Sequence, residues 1–520
     1  MESITIGFTV TYTIVAAIFF LIMAKYDIHM FQLSSYRYSR YFRWLIPDNI
    51  VSEKRTMALL MVIPALVPHY LGIGFATGVA GVALARTWKE KFKTPIVYTM
   101  RVKRLFATNI VLFAIITTLA ILFAGTWAMA VIGIALLLSN MLMLLANLIN
   151  TPIEKAINRH YYNDAKRIIE SNKGLIVIGV TGSFGKTSTK NYLASILAEK
   201  YNVLVTPGNF NTLLGVIRTI REQLRSYHQV FIVEMGAKQR NDIKEICDLV
   251  HPTIGIVTAV GEMHLETFKS IENIQDTKFE LINSLPANGL GIVNNDSEFI
   301  RNYKGAIIRS KLLRYAVENE GDYKATDVQY GANGVSFSLN GEGQYNSRLL
   351  GTGNLLNILA SIAVADHLEV PAHKQCNAIA RLQPVEHRLS MKVANGITVL
   401  DDAYNSNPNG ARMALEVLKN FKVGEENKRI VITPGFVEMG SRQAAANKEL
   451  GSNIAGSCDY AIIVNTTNRE AIRSGIEEMG MPGDRYFLAD SLTHAHAHLA
   501  QILHAGDVVL YENDLPDNFK

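Results

Sequence analysis

The sequence predicts an α/β protein preceded by transmembrane helices, and three observations predict it. The first 150 residues hold four long apolar runs. From Gly174 onward, short apolar runs of strand length alternate with helical periods. A glycine-rich stretch, GVTGSFGKTSTK from Gly179 to Lys190, falls where the first of those strands should give way to a helix. The 520 residues are 49% hydrophobic and 19% charged, and the pattern divides them at 1–150, 151–383 and 384–520.

The apolar runs come first. Ile4 to Ala24 has no charge and is long enough to cross a bilayer. Lys25, Tyr26 and Asp27 follow it where a cleavage site would need small residues, so it reads as a signal anchor. Met57 to Ala85 contains Pro64, Pro68, Gly72 and Gly74, which predict a broken or re-entrant element. Phe106 to Ala124 and Ala128 to Ile149 complete the set, joined at Gly125-Thr126. Buried helices of a soluble domain are the alternative reading. Within these runs the one ionisable residue is His69.

Charge follows the same division. Residues 1–150 carry 13 Lys and Arg against 5 Asp and Glu, whereas the whole chain has a net charge of only +5. The excess lies in the loops 25–55 and 86–105, and basic loops favour the cytoplasm. That predicts a multi-pass cell-membrane protein with its N-terminus outside and its soluble part cytoplasmic. It does not describe a nucleic-acid stripe. Cys247, Cys376 and Cys458 are far apart and odd in number, so they read as reduced, buried thiols.

The soluble part is read strand by strand. LIVIGVTG, VLVT, QVFIVEMG, TIGIVTAVG and LGIVNND are buried strands separated by helices, the pattern of a parallel sheet. Residues 325–350 alternate and carry Gly and Asn turns, which predicts a β-meander. A second series, ITVLDDAY, RIVITPG, YAIIV, RYFLAD and DVVLYE, follows a boundary near Gln383-Pro384.

The glycine-rich loop departs from the usual G-x-x-x-x-G-K-[ST] pattern. Gly185, Lys186 and Thr187 fit its end, but the position where the first glycine is expected is Val180. A strand–loop–helix context still offers backbone N–H groups to anionic oxygens. The short T-G-S-x-G-K-T form resembles the loop of Mur ligases and folylpolyglutamate synthases. TPGNFNTLLGV (206–216), VEMGAKQRNDI (233–243), GEMHLETFKSIENIQDTKFE (261–280) and DDAYNSNPNGA (401–411) follow in the order of the D-alanyl-D-alanine-adding branch of the Mur ligases. The resemblance covers about residues 174–512.

That resemblance implies a P-loop-type central ATPase domain and a Rossmann-like C-terminal ligase domain. It implies an ADP-forming ligase that uses ATP and Mg²⁺ to join a carboxylate to an amine through an acyl phosphate. Gly182, Ser183, Gly185, Lys186, Thr187 and Ser188 would hold the phosphates, and Thr187 and Glu234 the first magnesium. His264 would hold a second, together with Lys278 as a carbamate. Asn209 and Asn211 would face the substrate. Asn354 and Asn357 would line the nucleotide pocket on the adenine side, and Asn294 and Asn295, which follow a strand, read as lining that pocket or as a helix cap or turn. Arg388, Asp402, Tyr404 and Asn405 would come from the C-terminal domain, Arg388 in an arginine-finger role and the other three binding ATP where it meets the incoming amine. By residue type alone each has a plainer reading: an edge charge for Glu234, a loop histidine for His264, a turn for Asn209, a surface arginine for Arg388. Lys278 alone would be a helical lysine pairing with Asp276 or Glu280.

Three departures mark this chain. Gly353 stands where the family usually has histidine. TPGFVEMG replaces a Gly-Asp-Met-x-Glu-Leu-Gly-like motif. Glu512, Asn513 and Asp514 end the last strand where Lys-Gly-Ser-Arg is usual. The expected partners are an envelope-precursor carboxylate, lipid-linked or nucleotide-linked, and an amino acid or dipeptide amine. A polymerising ligase resembling poly-γ-glutamate synthase and a nucleotide-dependent transporter are the competing readings.

Overall fold

Nothing between Ile4 and Ala24 stops a helix, and the helix formed there continues past the apolar run, from Glu2 to Leu33. The computed structural model describes residues 2–48, 53–89, 94–263, 265–305, 307, 311–331, 333–404 and 407–515. These form two units, one ending at His160 and one running from Tyr161 to Leu515.

The first unit is helical. Its helices span Glu2–Leu33, Tyr38–Asp48, Glu53–Leu60, His69–Lys89, Met100–Phe123 and Ala128–Leu137, with a further one from Ser139. The run 57–85 is broken, as its prolines predict: a helix stops at Leu60, a tight turn covers Ile63–Leu66, and a new helix starts at His69. Among the described residues, Gly7–Leu33, Tyr70–Thr87 and Met100–Phe123 are long and apolar enough to cross a membrane. Ala128–Leu137 and Ser139–Ser171, bent by 73° at their break, could make a fourth. Phe20 stacks on Phe113 inside the bundle at 4.1 Å, while Ile14, Leu122 and Phe123 point outward, the last 81% exposed.

The candidate span Gly7–Leu33 contains Asp27, which is fully buried. Asp27 is ion-paired with Arg55, accepts a hydrogen bond from Ser139 Oγ at 2.8 Å, and is approached by Tyr41 Oη at 3.3 Å. The helix outruns the apolar run because no glycine or proline ends it, and the buried charge is tolerated because Arg55 balances it.

The second unit holds two sheets. The strands of the first are β1 (Ile176–Thr181), β2 (Val203–Val205), β3 (Val230–Met235), β4 (Ile254–Val257), β5 (Leu290–Asn294), β6 (Lys311–Ala316), β7 (Tyr323–Gly331), β8 (Gly334–Leu339) and β9 (Glu342–Ser347). Their order is β2-β3-β1-β4-β5-β6-β7-β8-β9, parallel up to β7 and antiparallel from there. Helices Lys186–Leu197 and Gly351–His367 pack on one face, and Leu213–Gln223, Asp242–Val250 and Ile271–Asn283 on the other. Strands β3, β4 and β5 are buried along their whole length, which is why they read as continuous apolar runs.

The second sheet has the order β10-β11-β15-β12-β13-β14. Its strands are β10 (Ser390–Ala394), β11 (Ile397–Asp402), β12 (Arg429–Thr433), β13 (Tyr460–Val464), β14 (Tyr486–Ala489) and β15 (Val508–Glu512). Only the β10–β11 hairpin is antiparallel. Strands β6 and β10 were missing from the sequence reading. KLLRYA breaks its apolar run with charge, and SMKVA is a half-exposed edge whose signal was the Asn395-Gly396 turn after it. Cys247 and Cys458 are buried as expected, but Cys376 is only half-buried.

Candidate active site

The site begins where β1 ends. The chain turns through Gly182 and Gly185, both at positive φ, into the helix starting at Lys186. A methyl group at Gly182 would sit 2.0 Å from Thr258 Oγ1, and one at Gly185 2.7 Å from Asn357 Oδ1. Only glycine lets the loop lie this close to its neighbours. Ser183 closes the loop from behind: its Oγ donates to Gly261 O at 3.1 Å and accepts from Gly261 N at 3.0 Å.

Lys186 curls back over the loop, its Nζ 2.7 Å from Gly182 O and 3.1 Å from Ser183 O. Burial lowers its ammonium to about 8; Glu234 opposes this and Arg388 adds to it. A neighbouring anionic oxygen would restore the charged form. Thr187 Oγ1 donates to Glu234 Oε2 at 3.1 Å, and Asn211 Nδ2 to Glu234 Oε1 at 3.1 Å. Glu234 ends β3 almost wholly buried. Burial works to raise its carboxyl, but Lys190 and Lys186 hold it below the usual carboxylate range. A hydroxyl beside an ionised carboxylate is a hard-oxygen pair that suits Mg²⁺, which keeps its waters and takes phosphate oxygens.

Lys278 projects from the helix Ile271–Asn283, capped by Ser270, and is 4% exposed. Burial, with Lys186 next, lowers its ammonium to about 7. The carboxylates it would pair with in an ordinary helix are engaged elsewhere. Asp276 meets Arg240 at 3.3 Å, and Glu280 accepts Asn241 N and Lys244 N at 2.7 and 3.0 Å.

An open cleft adjoins the loop. Ser188, Asn294, Asn354 and Asn357 line it from the first sheet's side, and Arg388, Asp402, Tyr404 and Met413 from the second's. Asn354 accepts from Tyr192 Oη at 2.8 Å, and Asn357 from Thr189 Oγ1 at 3.0 Å. Asn294 donates to Thr258 O at 2.9 Å. Asn295 is not on the wall; it donates to Glu320 O and accepts from Arg314. Met413 lies against Gly353, where a Cβ would be 3.4 Å from its sulfur, so a thioether occupies the neighbourhood of the expected imidazole.

Arg388 stands over the Tyr404 ring at 4.5 Å and donates to Tyr404 O at 2.8 Å. Burial raises the Asp402 carboxyl to about 6, against the pull of Arg388. Its Oδ1 accepts Leu389 N at 2.9 Å. Asn209 reaches across the cleft to Tyr404 Oη at 2.6 Å, and Arg442 reaches back to Glu262 at 2.8 Å. Glu512 is fully buried opposite Asp402 in the β11–β15 register, so it faces the interior of the domain. His264 and Asn405 lie outside the described residues.

The sequence reading missed Lys190, Thr258 and Met413. The TSTK run already held Lys190, but lysine on a helix is ordinarily a surface residue. Thr258 and Met413 gave no signal in one sequence.

Known proteins resemble this chain in sequence and fold. Residues 180–365 match the Mur ligase middle domain, and residues 387–511 match the Mur ligase, glutamate ligase domain. The UDP-N-acetylmuramoyl-tripeptide--D-alanyl-D-alanine ligase of Bacillus subtilis is 28% identical over 284 residues, 54% of this chain and 61% of that protein. The Escherichia coli protein of that name is 29% identical over 280 residues, 53% of this chain and 61% of its own length. The chain thus spans less than two thirds of these relatives. The MurF ligase from Thermotoga maritima in complex with ADP superposes with a TM-score of 0.60 at 26% identity, covering 68% of this chain and 80% of that one. MurF from Acinetobacter baumannii superposes at 0.62 with 24% identity, over 69% and 78%.

Proposed function

The chain belongs to the Mur ligase family, and on that premise we propose that it is a membrane-anchored, ATP-dependent amide ligase acting on cell-envelope precursors. We divide it at 150 and 383 into an anchor, a nucleotide-binding domain and a C-terminal domain. The observation that carries the reading is that Gly185 and Ser188, which flank Lys186 and Thr187 in the chain, line one cleft with Arg388 and Asp402, while Thr187 bonds Glu234 and the charge of Arg388 acts on Lys186.

In the proposed reaction a substrate carboxylate oxygen attacks the γ-phosphorus of ATP, and the bond to ADP breaks. The amine then attacks the acyl carbon, a C–N bond forms, and phosphate leaves with the electrons of the C–O bond. The amine gives up one proton to solvent or a carboxylate. Two anions must approach each other in the first step, so cations and positioning do most of the work. Lys186 balances the β- and γ-phosphates. Magnesium, held by Thr187 and Glu234, would screen the same charge. Arg388 adds a cation from the other domain, and Asn209 and Asn211 orient the acceptor. Asp402, Tyr404 and the asparagines of the cleft wall hold the nucleotide.

Lys278 fits a carbamate. Its nearly buried amine sits in surroundings that favour the neutral form. That is the form that adds carbon dioxide, with loss of one proton. The product is an anionic oxygen ligand where an ammonium would repel a second magnesium. His264 is assigned to the same ion.

The outward-facing apolar side chains of the first unit support anchoring in a bilayer, with the catalytic domains in the cytoplasm. The relatives' names specify a tripeptide nucleotide acceptor and D-alanyl-D-alanine. For this chain we propose a peptide-bearing envelope precursor presented at the membrane surface. Its amine partner is an amino acid or dipeptide. The full chain and residues 161–520 alone should be given ATP, Mg²⁺ and matched soluble and lipid-linked precursors. Preference of the full chain for the lipid-linked acceptor supports the anchored reading; equal rates on a soluble nucleotide-linked acceptor remove it.

A further inference from the structure

Two lysines follow the glycine loop one helical turn apart, and their surroundings differ. Among the described residues, Lys186 Nζ bonds only carbonyls of its own loop, so it is able to turn toward a ligand. Lys190 is 1% exposed, and its Nζ lies 3.1 Å from Glu234 Oε2, 2.8 Å from Thr206 O and 2.7 Å from Gly208 O. An ammonium has three donors, and here all of them are committed. Glu234 is 1% exposed as well, so it needs a positive partner close by. The two carbonyls belong to the segment leading to Asn209 and Asn211. Asn209 bonds Tyr404, and Asn211 bonds Glu234 itself.

We propose that Lys190 is a positioning residue with two tasks: it is the tethered counter-ion of Glu234, and it clasps the 206–211 loop against the phosphate-binding helix. The inference rests on the reading of Glu234 as the metal-holding carboxylate. It adds a consequence with a definite sign. A dication at Glu234 and the Lys190 ammonium share one carboxylate and repel each other, so Lys190 weakens metal binding while fixing the loop. Replacing it with an uncharged side chain of similar length should tighten the metal and loosen the loop. A residue that merely fills space would weaken both.

The full chain in detergent would be compared as wild type, Lys190→Met, and the double variant Lys190→Met/Glu234→Gln. The probes are Mg²⁺ alone and Mg²⁺ with ADP, read by thermal unfolding, and hydrogen exchange over residues 206–211. The single variant should melt lower without metal and gain about 2 °C or more beyond the wild-type Mg²⁺ shift. Its loop amides should exchange about tenfold faster, with or without metal. The double variant should lose the extra metal shift and keep the fast loop. A metal shift in Lys190→Met no larger than wild type, or unchanged loop exchange, overturns the proposal. If the single variant does not fold, folding of the double variant supports the counter-ion role, and failure of both overturns it. No Mg²⁺–ADP shift in the wild type would sink the ligase reading instead, while faster loop exchange in Lys190→Met would still uphold the clasp.

Discussion

The middle domain holds its part of the cleft with buried side chains that bond one another, whereas the polar contacts Asn209–Tyr404 and Glu262–Arg442, made with the C-terminal domain, are largely exposed. On one side Thr187, Lys190 and Asn211 all converge on Glu234. On the other, Asn209 reaches Tyr404, itself 37% exposed, and Glu262 pairs with an Arg442 whose side chain is 52% exposed. An exposed ion pair contributes about 0–1 kcal/mol. The difference teaches that a phosphate-binding loop and its carboxylate can be fixed within one domain, while the polar groups joining it to the second domain stay in contact with solvent, the arrangement that the proposed domain closure requires.

The largest expected effect separates the two sides. Arg388→Ala should lower turnover by about 10³-fold or more, the scale of an arginine finger, and leave ADP affinity near wild type. Turnover within tenfold of wild type would remove Arg388 from the reaction. Lys186→Ala should lose about 10²–10³-fold in turnover and lose nucleotide affinity with it. Unchanged ADP binding by calorimetry in that variant would mean the loop does not hold phosphate.

Lys278 sharpens the picture of the buried side. Lys278→Ala should lose about 10–100-fold in activity, and millimolar formate should restore part of it by supplying the missing anionic oxygen. No rescue, with full activity in bicarbonate-free buffer, would rule the carbamate out. Stability gives a second reading. The folded pKa is depressed to about 7, so this lysine's contribution is fully present above the unfolded value and is lost as pH falls through about 7. Lys278→Met should therefore gain stability relative to wild type as pH drops from about 10 to 7. A constant difference across that range would contradict the burial argument.

Tyr404→Phe is the smallest test. It removes one hydrogen bond between the domains, about 1 kcal/mol, so turnover should fall about fivefold with nucleotide affinity unchanged. An equal loss in both would mean that the Tyr404 hydroxyl, and not only the ring, acts on the nucleotide.

Legibility in the sequence followed the same division. The strands of the first sheet's interior are unbroken apolar runs, and the glycine–lysine–threonine loop sits at a strand end, so both could be read in one dimension. Lys190 could not, because its importance lies in Thr206, Gly208 and Glu234 being folded around it. Met413 beside Gly353 is a contact between domains that no local pattern announces. Asp27 was placed outside its span because the apolar run ends at Ala24, yet the helix continues and Arg55 neutralises the charge from 28 residues away.

The central claim is that this chain makes an amide bond at the expense of ATP. Purified full-length protein should be incubated with ATP, Mg²⁺ and a panel of peptide-bearing envelope precursors and amines, with nucleotides and products followed by mass spectrometry. The account predicts ADP and phosphate in equal amount to a product heavier than the acceptor by the amine minus one water, with each formed about 10²–10³-fold more slowly by Lys186→Ala. Formation of AMP and pyrophosphate, or ATP hydrolysis with no condensed product from any pair, would contradict it.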